Sequence, residues 1–229
     1  MMRWCQQFLV LLYKEIVLEA RGKELLVLLG CSSVIVAVLV GAGVSSAVLD
    51  VDTTRKVFPM LLWIVFLITA TTASVRTSES ELEGRGFEGL LLAGVSGPQL
   101  YLSKVCVTAA VLWIDWMLLV LLIGGVLDQA LGAVLRPLLF IGIGASAVLA
   151  ALLVLLSGIT GTSRMRGVLL PIVTLPLLFP LFFAGVELTT ACVLQGGCEA
   201  SGVWSSVMGL SGLLFLLVGI NTYELAVRE

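Results

Sequence analysis

Six runs of mainly apolar residues, 25–49, 57–75, 105–127, 137–160, 168–188 and 203–220, occupy most of the chain, and each is long enough to cross a bilayer as a helix. Each crossing needs about 20 residues to cover about 30 Å of hydrocarbon at 1.5 Å per residue. Six such spans leave almost nothing of the 229 residues for a soluble domain. Only 12% of the residues are charged, against about 25% in soluble domains, so water is not the solvent of most of this surface. The expected fold is all-α: one transmembrane domain over residues 1–229, with six membrane helices.

Residues 3–21 place Phe8, Leu9, Leu12, Ile16 and Leu18 among polar side chains at roughly helical spacing. That pattern predicts an amphipathic helix in the headgroup plane ahead of the first span. Lys14, Glu15, Glu19, Arg21, Lys23 and Glu24 interrupt the apolar residues here, and no small-residue cleavage site follows, so the stretch does not read as a cleavable signal. Lys and Arg are retained on the cytoplasmic side of membranes. With the N-terminus inside, ten basic residues (Arg3, Lys14, Arg21, Lys23, Arg76, Arg85, Lys104, Arg164, Arg166, Arg228) lie inside and three (Arg55, Lys56, Arg136) outside. Both termini are therefore expected in the cytoplasm.

The outward connections are then 50–56, 128–136 and 189–202. The last holds Cys192 and Cys198, in a compartment where disulfides persist. The two either close a small disulfide loop or remain thiols, and spacing does not decide between these. Cys5, Cys31 and Cys106 read as reduced residues in or near the membrane. The fifth span carries Pro171, Pro176 and Pro180, each lacking a backbone donor and disturbing the preceding turn. Freed carbonyls are tolerated in a bilayer where neighbouring helices or cavities satisfy them, so a kinked helix packed inside the bundle, bordering a pathway, is expected.

The longest polar connection, 76–104, lies on the cytoplasmic side. Its first half alternates Glu79, Glu81, Glu83 and Glu88 with Gly84, Gly86 and Gly89. Its second half is read as exposing Phe87, Leu90, Leu91, Leu92, Leu100 and Tyr101. Acids, glycines and leucines at such short range suit an element that docks in a groove of another protein; the blander reading is a helix lying on the membrane. Asp115, in the sequence WIDW, is the one charged residue well inside a span. It reads equally as a functional intramembrane group or as a structural carboxyl held by a Ser or Thr of a neighbouring helix. Glu187, near the outer end of the fifth span, can reach water. The small residues Gly142, Gly144, Ala145, Ser146 and Ala147 read as a close-packing face.

Several function classes are excluded. There is no histidine, which removes the commonest metal ligand and the usual general base. No phosphate-binding Gly-rich loop with a following Lys-Ser/Thr is present, and no Ser-His pair. The chain therefore reads as a non-enzyme without a metal site, and any ATP hydrolysis belongs to another polypeptide. A net charge of −2 without a basic stripe argues against nucleic acid as a partner.

KEIVLEARGKE before the first span, SELEGRGFEGLLLAGVSGPQLYLSK after the second and GVLLPIVTLPLLFPLFFAG in the fifth together resemble the heme exporter protein B (CcmB) family, the permease of the cytochrome c maturation system, from about Tyr13 to about Leu225. The resemblance implies a six-span permease of the ABC-2 type in the bacterial inner membrane. It also implies a coupling surface of Glu81, Glu83, Gly84, Phe87, Glu88 and Leu91 that docks on a separate ABC ATPase subunit. The family tends to show a proline near the end of the leucine run, where this chain has Gly94, with Pro98 only after another glycine. The implied partners are that ATPase, a haem-handling membrane subunit, a haem chaperone and the lipid bilayer, in a homodimer or a hetero-complex. Haem enters as a transported or handled ligand and not as a cofactor of this chain, and ATP acts through the partner. The lack of histidine favours a mechanical role, driving release of haem-loaded chaperone, over direct haem export.

Two other readings share parts of this pattern. A permease exporting a drug, lipid or polysaccharide would have the coupling loop without the local match around LEGRGFEGLLLAGVS. An ion-driven secondary transporter would be expected to carry paired intramembrane charges and matching broken helices, and here one deep carboxyl and one proline-rich span stand alone.

Overall fold

The computed structural model describes residues 2–22, 24–46, 50–83, 96–129, 131–132, 134–160, 166–195 and 202–228. Among these residues the chain is all-helical: α1 (Met2–Gly22), α2 (Glu24–Ser46), α3 (Val51–Glu83), α4 (Gly97–Val126), α5 (Leu135–Thr160), α6 (Arg166–Gln195) and α7 (Gly202–Arg228). Six of them, α2 to α7, are long and apolar enough to cross a membrane.

Helix α5 is the axis of the bundle. Residues 148–157 are buried all round, as an apolar helix surrounded by others must be. It packs on α7, α4 and α6, and more lightly on α3. Helix α2 lies on α4 and α3, α6 lies on α3, α5 and α7, and α1 leans mainly on α4. The outer helices keep apolar faces exposed, such as Val27, Ile35, Val38 and Leu39 on α2 and Leu210, Leu213, Leu214 and Leu217 on α7. In water such faces would drive association, but against acyl chains they cost nothing.

Helix α1 divides its apolar residues between two sides. Leu11 is buried, with Phe8 and Leu12 half-buried, while Leu9, Tyr13, Ile16 and Leu18 are exposed. Residues 9, 13 and 16 recur at helical spacing and form an outward apolar stripe.

Two helices begin earlier than the apolar runs suggest. Residues 51–56, expected in an outward connection, form the first turns of α3, where Thr54 returns its N–H and its hydroxyl to the Asp50 carbonyl at 2.9 and 3.0 Å. Helix α4 starts at Gly97, with Pro98 in the first turn, where a missing N–H costs no helical bond. The Ser96 N–H donates to Gln99 Oε1 at 3.1 Å and fixes the entry. Leu100 and Tyr101, expected to be exposed in the polar connection, are 1% and 0% exposed, because this first turn already packs within the bundle. Helix α4 ends in a tight turn: Gln129 N–H reaches the Gly124 carbonyl at 2.9 Å and Asp128 N–H the Gly125 carbonyl at 3.4 Å, with Asp128 held at φ 50°. This is the paired-bond stop that usually carries glycine at the left-handed position.

Candidate functional site

Helix α3 has 33 residues, but its apolar stretch covers only Val51–Thr72. Residues 73–83 carry the same helix about 16 Å further at 1.5 Å per residue. Glu81 and Glu83 stand on this extension. Gly84, Phe87, Glu88 and Leu91 of the expected coupling surface lie outside the described residues, between the end of α3 and the start of α4.

The start of α4 is tied to three other helices. Gln99 Nε2 lies 3.5 Å from Gln7 Oε1 on α1. The Tyr101 hydroxyl has the Ala151 carbonyl of α5 at 2.9 Å and the Phe215 carbonyl of α7 at 3.2 Å. Its ring lies 5.4 Å from that of Tyr223.

Deeper in the bundle, Asp115 joins three helices. It is 3% exposed. The Ser33 hydroxyl of α2 donates to its Oδ1. Thr69 Oγ1 of α3 lies 3.0 Å from its Oδ2 and also 3.0 Å from the Phe66 carbonyl one turn back. A threonine hydroxyl has one proton and two lone pairs, so it can serve one of these oxygens as donor while accepting from a donor in the carboxyl position. Among the described residues no basic side chain pairs with Asp115. The carboxyl is thus enclosed by hydroxyls from two neighbouring helices, an arrangement that suits a structural tie more than a group on a conduction path.

Aromatic packing surrounds this node. Trp63, Phe66 and Trp116 form a cluster with centroids 4.9–6.0 Å apart. Trp63 Nε1 donates to Thr189 Oγ1 on α6 at 2.9 Å, and Trp116 Nε1 donates to the Leu138 carbonyl of α5 at 3.0 Å. Each indole occupies the space left by a glycine of the facing helix, Gly185 for Trp63 and Gly142 for Trp116, where a Cβ would overlap the ring. Gly144 of the same small-residue face receives Met208, with 3.2 Å between its virtual Cβ and the sulfur. The role of Gly142 as a contact point was legible in the small-residue run, whereas Gly185 gave no signal beyond being a lone glycine.

The proline-rich α6 is a continuous helix, and two of its prolines, Pro176 and Pro180, are not directed into the bundle. Pro176 and Pro180 are exposed beside Leu175 and Phe179, while Thr174, Leu178, Leu181 and Ala184 form the buried side. The side chain of Pro171 lies outside the described residues. A helix with apolar residues on all sides offers no periodicity from which its inward face could be read. Glu187 is exposed on the same helix. At its end Cys192 is buried and disulfide-bonded, and Cys198 lies outside the described residues. Close by, Arg55 Nη2 donates to the Val193 carbonyl at 2.6 Å, a cation at a helix C-terminus that the charge count alone did not single out.

Among the described residues no three His, Cys, Asp or Glu side chains gather as a metal would require. No curated protein matches the chain. The family model described as CcmB protein matches residues 6–227, nearly the whole length, and the chain belongs to that family.

Proposed function

We propose that this CcmB-family chain is the permease subunit through which a separate ABC ATPase drives a step of c-type cytochrome biogenesis at the bacterial inner membrane. Family membership supports a permease role in the haem exporter system. The observation that carries the coupling reading is the extension of α3 beyond its apolar stretch, which places Glu81 and Glu83 on a helical arm about 16 Å long. The segment with Gly84, Phe87, Glu88 and Leu91 joins that arm to the start of α4. A push on the segment is delivered to two long helices at once.

The output is mechanical: hydrolysis on the partner shifts these helices and releases haem-loaded chaperone from a neighbouring membrane subunit, with direct haem export as the alternative. Haem iron would have to be held here by Met, Cys or Tyr, since the chain has no histidine. The ten-to-three distribution of basic residues supports cytoplasmic termini. That orientation would set the docking segment beside the ATPase and Cys192 in the oxidising compartment, and Cys198 is the partner we propose for its disulfide. Two ATPase subunits closing on nucleotide need two docking elements, hence a second copy of this chain or a different permease.

The test is co-purification from detergent with the candidate ATPase, comparing the native chain with Glu88→Lys and Phe87→Ala, followed by vanadate-sensitive ATP hydrolysis. The native chain is expected to retain a stimulated ATPase, and each variant to weaken retention by about tenfold, the size of a single interface anchor. If no ATPase binds the native chain, the permease reading fails and an ion-driven carrier centred on Asp115 takes its place.

A further inference from the structure

We propose that Tyr101 is a positioning residue that passes movement of the docking segment to α5 and α7. This rests on the coupling reading above and adds the route by which a push leaves the segment.

Tyr101 is the fifth residue of α4, directly after the segment ends, and its side chain is fully buried. Its single hydroxyl proton is shared between two main-chain carbonyls on different helices, Ala151 at 2.9 Å and Phe215 at 3.2 Å. The phenol fills the space left by Gly219 of α7, where a Cβ would overlap it. Tyr223 of α7 packs on the ring at a tilt of 47° and reaches across to α5 at Gly158, where a Cβ would lie 2.9 Å from its own ring. A phenylalanine would fill the same slot, so packing alone does not call for tyrosine. The hydroxyl adds a directional bond, which in a bilayer does what hydrophobic association cannot, since acyl chains are as apolar as leucine.

The other ties of α4 to α5 lie beyond its middle, from Trp113 to the Leu139 carbonyl at 3.4 Å and from Trp116 to the Leu138 carbonyl at 3.0 Å. Among the described ties to α5 and α7, a displacement arriving at Ser96 meets Tyr101 before the two indoles. With the hydroxyl in place, α4 carries α5 and α7 with it; without the hydroxyl, α4 can slide along them.

The experiment uses the full chain in complex with its ATPase in nanodiscs. Spin labels are placed at exposed positions by Leu121→Cys on α4 and Leu210→Cys on α7, with Cys5, Cys31 and Cys106 replaced by serine. Retention of the ATPase, its hydrolysis rate and the label distance with and without vanadate-trapped nucleotide are measured. The native tyrosine is expected to hold this distance nearly constant with and without nucleotide, because α4 and α7 move as one. Tyr101→Phe is expected to keep ATPase retention and hydrolysis while the population with a nucleotide-dependent shift in distance rises about fivefold, as loss of one net hydrogen bond implies. Gly219→Ala, which keeps the hydroxyl but displaces the ring, is expected to do the same. An unchanged distance in whichever of the two variants folds overturns the proposal, as does an equal shift with tyrosine present. Failure of the native chain to bind the ATPase is a different result, and it overturns the proposed function together with this route.

Discussion

Replacing Asp115 separates its two readings, because the carboxyl holds two neighbours of unequal independence. In Asp115→Leu the Ser33 hydroxyl loses its acceptor, whereas Thr69 can give its proton to the Phe66 carbonyl, already 3.0 Å away. Interhelical hydrogen bonds in membranes average about 0.6 kcal/mol and reach about 1.7, so the loss of both ties is expected to cost about 1–3 kcal/mol. Asp115→Asn behaves differently. Its carbonyl oxygen accepts from Ser33 and its amide donates to Thr69, which then donates to Phe66, so every group is satisfied and the cost stays within about 0.5 kcal/mol. Unfolding in mixed detergent micelles with increasing dodecyl sulfate can be followed by tryptophan fluorescence, since Trp63 and Trp116 lie 5.0 Å apart in the cluster beside the node. The expected order of midpoints is native and Asn together, then Leu. Equal destabilisation by Asn and Leu would refute the hydrogen-bond reasoning. An Asn variant of native stability that stimulates no ATPase and supports no cytochrome maturation would move Asp115 from structure to function.

Two further perturbations test the packing and the turn. Gly185→Ala puts a methyl where the Trp63 indole lies and is expected to cost about 1–3 kcal/mol in the same titration, with part of the loss recovered by adding Trp63→Phe; no loss in the single variant would show that this contact is not tight. Asp128→Gly relieves a left-handed residue at the end of α4 and is expected to raise stability by about 0.5–1 kcal/mol, read as a higher thermal midpoint in detergent. An unchanged or lower midpoint would count against that turn.

The membrane helices were legible because a span must be apolar over its whole length, and a run such as 137–160 has few other uses. Their partners were not. Trp63 meets Gly185 and Tyr101 meets Gly219 across more than a hundred residues of chain, and nothing local to a glycine announces which ring will fill its place. The same apolar uniformity that reveals a span hides its inward face, so nothing in the sequence of α6 tells that Pro176 and Pro180 lie exposed. Helices α3 and α4 begin at 51 and 97, ahead of the runs 57–75 and 105–127, because their first turns mix polar with apolar side chains. Asp115 stood out as a lone charge, but its meaning depended on Ser33 and Thr69, two small hydroxyl residues among many.

The distribution of polar ties bears on how such a bundle could move. Helix α4 is held near Gln99 and Tyr101 at one end and at Trp113, Asp115 and Trp116 further along. The 15 residues from Tyr101 to Trp116 span about 22 Å at 1.5 Å per residue. Over that length α4 meets its neighbours through side chains such as Val105, Val111 and Leu112. Dispersion contacts of this kind tolerate small sliding because no single atom pair is worth more than about 0.2 kcal/mol, whereas a hydrogen bond has one geometry. The Asp115 node binds α2 and α3 to α4, so these three helices move together in their middle. The Tyr101 anchor instead binds α4 to α5 and α7. A displacement entering between α3 and α4 therefore has two outlets, a shared shift of α2, α3 and α4 or a transfer to α5 and α7. Which one dominates depends on whether the hydroxyl of Tyr101 holds.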